Sequence, residues 1–482
     1  MTGDGAADFM RGLIVSDTTP VPQPESAGKQ WRDDFYVVDK WSASRKLSVN
    51  AGLRYELPTV PESPTGIADV LNTAGTALTP SPPKPDVAFT LPNHEQWAPR
   101  LGLAYRLGSA WVIRAGAGIY YSPDTLNPVT ILSLNPPFAQ NFTYNTTRVN
   151  PVITFSNPNP ASALGTAAKP DIYTIGPYFP SAMMEQWSLD VERSLWNDAA
   201  IDLQYQGNHT DHLDTTWELN APLPGPGAVQ ARRPNQNFGN IQEIKNAEVS
   251  NFNGMNVVFT QRTHHGLSAQ LNYTWSHSLD MGLYSTGGGA IVNPYDGAAD
   301  YGNSNDDIRQ RFVGNFVYLI PFFSQSGHWA TREFVAGWSF SGIFTAQTGN
   351  PVNVTISADQ ANTGQASQRP DRIGPIHASS CGKVLVACVN SNAWAMPALY
   401  TYGDSARNPF YGPGYVDFDA SLAKSFPIHK RLAFQFRADA YNLANHPNWG
   451  PPNGVWDTTT FGNITTLVGN MREYELMGRL IF

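Results

Sequence analysis

The chain has 482 residues, of which 15 % are charged and 12 % aromatic, with 41 Gly, 38 Pro and a formal net charge of −8. That balance lacks the concentrated Lys and Arg that a phosphate backbone demands, so no nucleic-acid partner is expected. No apolar run reaches the roughly 18 residues of a membrane helix, but a barrel strand needs only about 9–11 residues with every second one apolar.

Residues 1–15 carry Asp4 and Asp8 and lack a basic stretch followed by a long apolar one. They do not read as a signal peptide, and an exported chain would need a leader beyond them. A half-strand or helical turn is expected at 6–15. From there the period is two. In 46–56, Leu47, Val49, Ala51, Leu53 and Tyr55 oppose Ser48, Asn50, Gly52, Arg54 and Glu56. In 266–277, Leu267, Ala269, Leu271, Tyr273 and Trp275 oppose Ser268, Gln270, Asn272, Thr274 and Ser276. Such segments are strands with one apolar and one wet face. The pattern places strands near 30–41, 45–57, 95–107, 110–121, 184–196, 199–207, 253–262, 266–277, 309–321, 333–347, 415–426, 430–443 and 472–482.

Short connections at 42–44, 108–109, 197–198, 263–265 and 427–429, with a moderate one at 322–332, alternate with long ones. The long ones are 58–94, 122–183, 208–252, 278–308, 348–414 and 444–471. Hairpins on one side and long loops on the other describe a transmembrane antiparallel β-barrel with short periplasmic turns and long extracellular loops. Aromatics near strand ends supply two interface belts. Trp41, Trp111, Trp196, Phe426 and Phe482 mark the short-turn rim, and Tyr55, Trp97, Tyr120, Tyr121, Trp187, Trp275 and Phe312 the long-loop rim. The all-β alternative, a propeller or stacked sandwich, lacks the repeat of about 40–50 residues it would need.

The final strand ends with Tyr474, Leu476, Gly478, Leu480 and Phe482 on one face, the form of a barrel-assembly signal in outer-membrane proteins. On the opposite, lumenal face of the wall the polar candidates are Arg54, Arg100, Arg114, Asp190, Glu192, Asp202, Gln270, Asn272, Arg437 and Asp439. Carboxylates at i and i+2, such as Asp190/Glu192 and Asp417/Asp419, share a strand face and fit a wet lumen better than a hydrolytic pair. The arginines are expected to pair with them.

The loops carry aromatic faces able to stack on sugars or peptides, and the ligand-contact candidates are Tyr144, Tyr178, Tyr295, Trp394 and Tyr402. Residues 209–212, His-Thr-Asp-His, open a long loop and read as solvated. The 300–307 stretch, DYGNSNDD, has a faint calcium-loop look without the required Gly and Glu. Cys381 and Cys388 are expected to form a small disulfide, with two unpaired thiols as the alternative, and no second ligand pair for zinc lies nearby. Neither a phosphate loop, a Gly-x-Ser-x-Gly elbow nor a His-Glu-x-x-His pair occurs, so no cofactor, no metal and no enzymatic activity are expected.

Several segments, in order, resemble the barrel of Oar-like TonB-dependent outer-membrane receptors. They are WRDDFYVVDKWSASRKLSVNAGLRYE (31–56), QWAPRLGLAYRL (96–107), VIRAGAGIYY (112–121) and SNFNGMNVVFTQRTHHGLSAQLNYTWSHSLD (250–280). DDIRQRFVGNFVYLIPF (306–322), GWSFSGIFTAQTGNP (337–351), FQFRADAYNLANHPNWGPPN (434–453) and FGNIT (461–465) complete the set.

The resemblance implies the C-terminal portion of a 22-stranded barrel, about 13–14 strands of it, with residues 1–29 an upstream remnant and 30–482 the barrel. No segment reads as a plug. It further implies residence in the bacterial outer membrane, capture of a bulky oligosaccharide, peptide or chelate by the loops, and passage through a plug-gated lumen. The partners implied are outer-membrane lipid, the barrel-assembly machinery, an unknown extracellular ligand and, only through a plug, a TonB-type energy-coupling protein. An adhesive or structural surface protein that binds through its loops without transport is the rival reading, and a barrel-embedded hydrolase a third.

Overall fold

The computed structural model describes residues 1–20, 25–71, 77–80, 93–122, 126–139, 141–145, 149, 151–160, 169–176, 178–196, 198–282, 291–323, 327–377, 389–429 and 431–482. Thirteen long strands follow one another in chain order, each bonded antiparallel to the next. They are β1 (Arg32–Ser42), β2 (Leu47–Pro58), β3 (Gln96–Leu107), β4 (Trp111–Tyr121), β5 (Met183–Trp196), β6 (Ala199–Glu218) and β7 (Ile241–His264). Then come β8 (Leu267–Asp280), β9 (Gln310–Leu319), β10 (Trp338–Gln347), β11 (Tyr415–His429), β12 (Leu432–Tyr441) and β13 (Glu473–Ile481). All thirteen lie where the period-two pattern puts them. Among the described residues β1 and β13 each bond a single neighbour in this sheet.

Two boundaries move a long way. β6 continues to Glu218 and β7 begins at Ile241, so both project far beyond the length needed to cross a membrane. Residues 209–212 therefore lie inside a strand and not in a loop. His212, at φ +62°, sits where the register slips between Thr210 and Leu213, a β-bulge that bends the projecting strand. Further upstream, residues 6–15 resolve into a helix, Gly5–Met10, whose Asp4 carboxylate accepts the amides of Ala6 and Ala7 at 2.9 and 3.1 Å.

The hairpin between β7 and β8 illustrates how short turns fix the register. His265 and Gly266 both have positive φ, +48° and +84°, the backbone twist that two-residue hairpins need. A side chain at Gly266 would also collide with the Leu319 carbonyl, so glycine is required twice over.

Directly paired residues share a face of the sheet. Ala51, Leu101, Ala117 and Trp187 are successive partners, as are Tyr205, Met255 and Trp275. This face carries Leu101, Leu189, Leu203, Leu271, Leu476 and Leu480, all exposed. The arrangement is inside-out relative to a water-soluble sheet. It satisfies every backbone polar group of an inner strand within the wall and offers hydrocarbon to lipid.

Exposed Trp41, Trp111 and Trp196 mark one rim, and Trp97, Trp187 and Trp275 the other. Tyr120 is a correction to the outer belt. It pairs with Met184 on the lumenal face and lies 4.4 Å beneath the Arg100 guanidinium.

The buried apolar clusters lie in the long connections and at the start of β7. One joins Val352, Val354, Ile376, Ala393, Trp394 and Phe410. Another joins Ala68, Val129, Leu132 and Ile175, and a third Ile172, Phe238 and Ile241. Fully buried Asn135 stitches two loops together by donating to the Asp69 and Tyr173 carbonyls and accepting the Tyr173 amide, each at 2.7 Å. The molecule is thus a lipid-facing wall carrying a packed layer of loops on one side.

Candidate functional site

Alternation lines the inner face of the wall with polar side chains, and the register fixes which ones meet. Arg114 lies opposite Asp190, Glu192 opposite Asp202, and Asp202 opposite Val258, which leads on to Asn272. Gln270 sits one pair along from Asn272, and Ser421 and Ala423 face Asp439 and Arg437. Arg54 and Arg100 occupy the same face on β2 and β3, since Gly52 is paired with Arg100.

Three inner arginines pair locally with acids. Arg54 holds Asp34 at 2.6 Å and Glu56 at 2.8 Å. Arg114 holds Asp190 at 2.9 Å and Glu192 at 2.8 Å, so both acids of that pair are committed to one guanidinium. Arg437 holds Asp439 at 2.8 Å, Gln204 donates to Asp202 at 2.6 Å, and Asp419 accepts the Asn442 amide at 2.8 Å. These bonds leave carboxylates in excess on the inner face, since Arg54 and Arg114 each hold two acids.

Above the wall the β10–β11 loop, residues 348–414, reaches the β8–β9 loop, residues 281–309, through buried polar contacts. Arg369 pairs with Asp300 and donates to the Ala299 carbonyl at 2.9 Å. Arg407 pairs with Asp280 and donates to its carbonyl at 2.9 Å. Asn408 donates to Asn305 Oδ1 at 2.8 Å and accepts Asn303 Nδ2 at 3.0 Å. The Tyr411 hydroxyl donates to Asp307 at 2.6 Å, and Arg309 pairs with the same carboxylate at 2.9 Å.

DYGNSNDD is therefore a docking strip. Asp300 and Asp307 are spent on arginine, tyrosine and the Ser278 amide at 2.8 Å. Among the described residues no group of three or more His, Cys, Asp or Glu side chains is arranged to hold a metal ion. His209 contacts Asp211 at 3.2 Å and Asn251 at 2.8 Å. On the neighbouring extension, burial pushes the Glu218 carboxyl up, opposed by the Ile241 and Asn220 amides it accepts at 2.9 and 2.7 Å.

The aromatic candidates separate. Tyr178 is exposed and meets His212 edge-on at 6.5 Å. Tyr295 is exposed, but its hydroxyl donates to the Ala221 carbonyl at 2.6 Å. Tyr144 is half-buried in a short strand, Asn141–Asn145, paired with Ser16–Pro20. Tyr402 shares a 2.8 Å hydrogen bond with Thr363, and burial pushes its hydroxyl up to about 12. Trp394 does not offer a face to a ligand, because it is only 2 % exposed at the centre of the largest loop cluster. Cys381 and Cys388 lie outside the described residues.

A slot of about 360 Å³ opens where β10 leaves the wall, lined by Gly349, Pro351, Gly412, Tyr415, Trp449 and Pro451. A larger hollow of about 540 Å³ is bordered by the lipid-facing Ala51, Leu101, Ala117 and Trp187 together with Arg100 and Glu185. Glu248, Asp280, Arg369 and Arg407 were not singled out by sequence. The Glu248, Arg369 and Arg407 partners lie 33, 69 and 127 residues away, beyond any local pattern.

A family profile described as the outer membrane beta barrel domain matches residues 1–475. Among solved structures, the outer membrane transporter YddB from Escherichia coli gives a TM-score of 0.50 at 10 % identity, over 94 % of this chain and 45 % of that one. The pyoverdine outer membrane receptor FpvA from Pseudomonas aeruginosa PAO1 gives 0.47 at 11 % identity, over 96 % and 43 %. BauA, the ferric preacinetobactin receptor from Acinetobacter baumannii, gives 0.47 at 13 % identity, over 96 % and 45 %. This chain spans less than half the length of each. No relative of curated function matches the sequence.

Proposed function

We propose, proceeding from the fact that this chain belongs to the outer membrane beta barrel domain family and is integral to the outer membrane, that it acts as barrel wall and ligand-capturing loop layer of a TonB-dependent, Oar-like receptor. In this reading an oligosaccharide, peptide or chelate is caught by the external loops and passes along the polar inner wall. Energy would reach that step through a plug and a TonB-type partner. The single observation that carries the reading is the β10–β11 loop, sewn to the β8–β9 loop and the wall by Arg369–Asp300 and Arg407–Asp280. Buried ion pairs cost desolvation, and here they hold one loop in a defined position over the polar inner face. The Tyr415–Trp449 slot and exposed Tyr178 are the first places to look for ligand contact.

The reading is tested in the native host by deleting the gene and following uptake of fluorescent oligosaccharides, peptides and metal chelates. Gene-dependent accumulation of one class that stops on collapse of the inner-membrane potential supports it. Gene-dependent surface binding with no uptake would transfer the protein to the adhesive class.

A further inference from the structure

The connection from β9 to β10 lies on the short-turn side, and its last part, residues 327–337, reads GHWATREFVAG. Trp329, Phe334 and Val335 in it are 67 %, 59 % and 49 % exposed. Two side chains five residues apart diverge on an α-helix. Here the Ala336 amide reaches the Thr331 carbonyl at 3.0 Å, the wider turn of a π-helix over Thr331–Val335. That turn brings the Trp329 and Phe334 rings edge-on at 6.2 Å. Gly337, at φ +76°, then swings the chain into β10.

One lysine fixes which side of the wall this segment covers. Trp338, Lys424, Phe436 and Gly478 are successive partners, and two residues along lie Phe340, Leu422, Ala438 and Leu476. Lys424 therefore stands on the lipid-facing side, where an uncapped charge is unfavourable. It is 5 % exposed, and its ammonium donates to the Ala336 carbonyl. The same ammonium lies 5.1 Å from the centre of the Phe426 ring and 5.9 Å from that of Trp338. The Trp338 indole donates to the Phe334 carbonyl at 3.0 Å, and the Phe334 ring meets Phe426 at 6.2 Å. These contacts clip the segment to the outside of the wall at the short-turn rim. The Arg332–Glu333 pair, 3.3 Å apart with side chains 53 % and 42 % exposed, gives it a polar flank.

We propose that residues 327–337 form a foot that rests in the headgroup zone of the phospholipid leaflet on the short-turn side. Phospholipid is the occupant because the exposed rings continue a surface already turned to hydrocarbon. Apolar rings beside charged groups also favour the boundary between acyl chains and headgroups. Trp41, Trp111 and Trp196 reach that rim from strands or their ends, whereas the foot is a separate segment laid against the wall. It ends at the first residue of β10, so it fixes the depth of the strand whose far end carries the 348–414 loop. The proposal depends on the lipid-facing wall and not on transport.

The test places the full chain in vesicles of phosphatidylethanolamine and phosphatidylglycerol whose acyl chains carry bromine near the ester or near the chain end. Tryptophan emission is recorded for the wild type and for Trp329→Phe, and the difference isolates one of 13 tryptophans. That difference signal is expected to fall by roughly half with the shallow bromine and by less with the deep one, as for an interfacial ring. Quenching by aqueous acrylamide with no effect of either bromolipid overturns the foot, because the segment would then stand in water. Shielding from all three quenchers also overturns it, since a second copy or another protein would then cover the rings. Phe334→benzoylphenylalanine gives a readout that does not depend on the first variant inserting. Irradiation in the same vesicles is expected to yield a lipid adduct, and a protein–protein adduct or none refutes the proposal.

Discussion

Arg407 and Asp280 stand 127 residues apart in the chain, yet the guanidinium of one lies on the carboxylate of the other with side chains only 8 % and 1 % exposed. The pair joins the C-terminal part of the β10–β11 loop to the last residue of β8. Replacing Arg407 with Met leaves Asp280 buried and unpaired, a loss of about 3–5 kcal/mol. Limited proteolysis should show new cuts in residues 348–414 while the strands stay protected. Unchanged cleavage would mean that the loop is held by its apolar cluster alone.

Arg114 offers the contrast. It binds two acids, Asp190 and Glu192, but its side chain is 46 % exposed on the wet inner face. Water screens such a pair, so Arg114→Gln should change unfolding stability by no more than about 1 kcal/mol. Urea titration in vesicles would measure it. A loss as large as that of Arg407→Met would show that the inner wall is drier than its exposure indicates.

Neighbouring positions on β8 separate lipid from lumen. Lysine at Leu271 enters hydrocarbon at a cost of about 2–4 kcal/mol near the midplane, whereas lysine at Asn272 meets water. On β12, Phe436 and Gln435 give the same comparison. Insertion into outer-membrane vesicles, read by heat-modifiable migration, should fall for Leu271→Lys and Phe436→Lys only. Equal insertion of all four would reverse the facing assignment.

Trp394 and Tyr178 divide structure from ligand contact. Trp394→Ala empties the main loop cluster and should cost about 3–5 kcal/mol, seen as early loss of loop protection. Tyr178→Ala touches an exposed ring and should leave stability within about 0.5 kcal/mol. Any weakening of ligand capture by Tyr178→Ala is then a direct effect.

The wall was legible because its rule is local. Every second residue meets lipid, so Leu47 to Tyr55 or Leu267 to Trp275 announces a strand and its facing without reference to the rest of the chain. Polar character does not mark a strand's end outside the membrane. The extensions of β6 to Glu218 and of β7 back to Ile241 therefore looked like loop, although Thr215 and Ile244 are buried in paired strand. The loop layer obeys no such period. An arginine such as Arg369 reads as solvated until Asp300 is brought to it, and Trp394 reads as a surface ring until Phe410 and Val354 close round it. Tyr120 misled for a different reason, since its ring is amphipathic and Arg100 gives it a cation to lie under on the wet side.

The number of strands has a consequence for self-association. β1 and β13 both run from the long-loop side towards the short-turn side, because thirteen antiparallel strands begin and end in the same sense. A ladder joining them directly would be parallel, and so would each seam between two copies inserted in the same orientation. A seam antiparallel at both edges requires an odd number of intervening strands, the first of them pointing outward. Among the described residues, parity alone thus makes β1 and β13 mismatched templates for each other, and an antiparallel ladder between them needs an odd number of further strands.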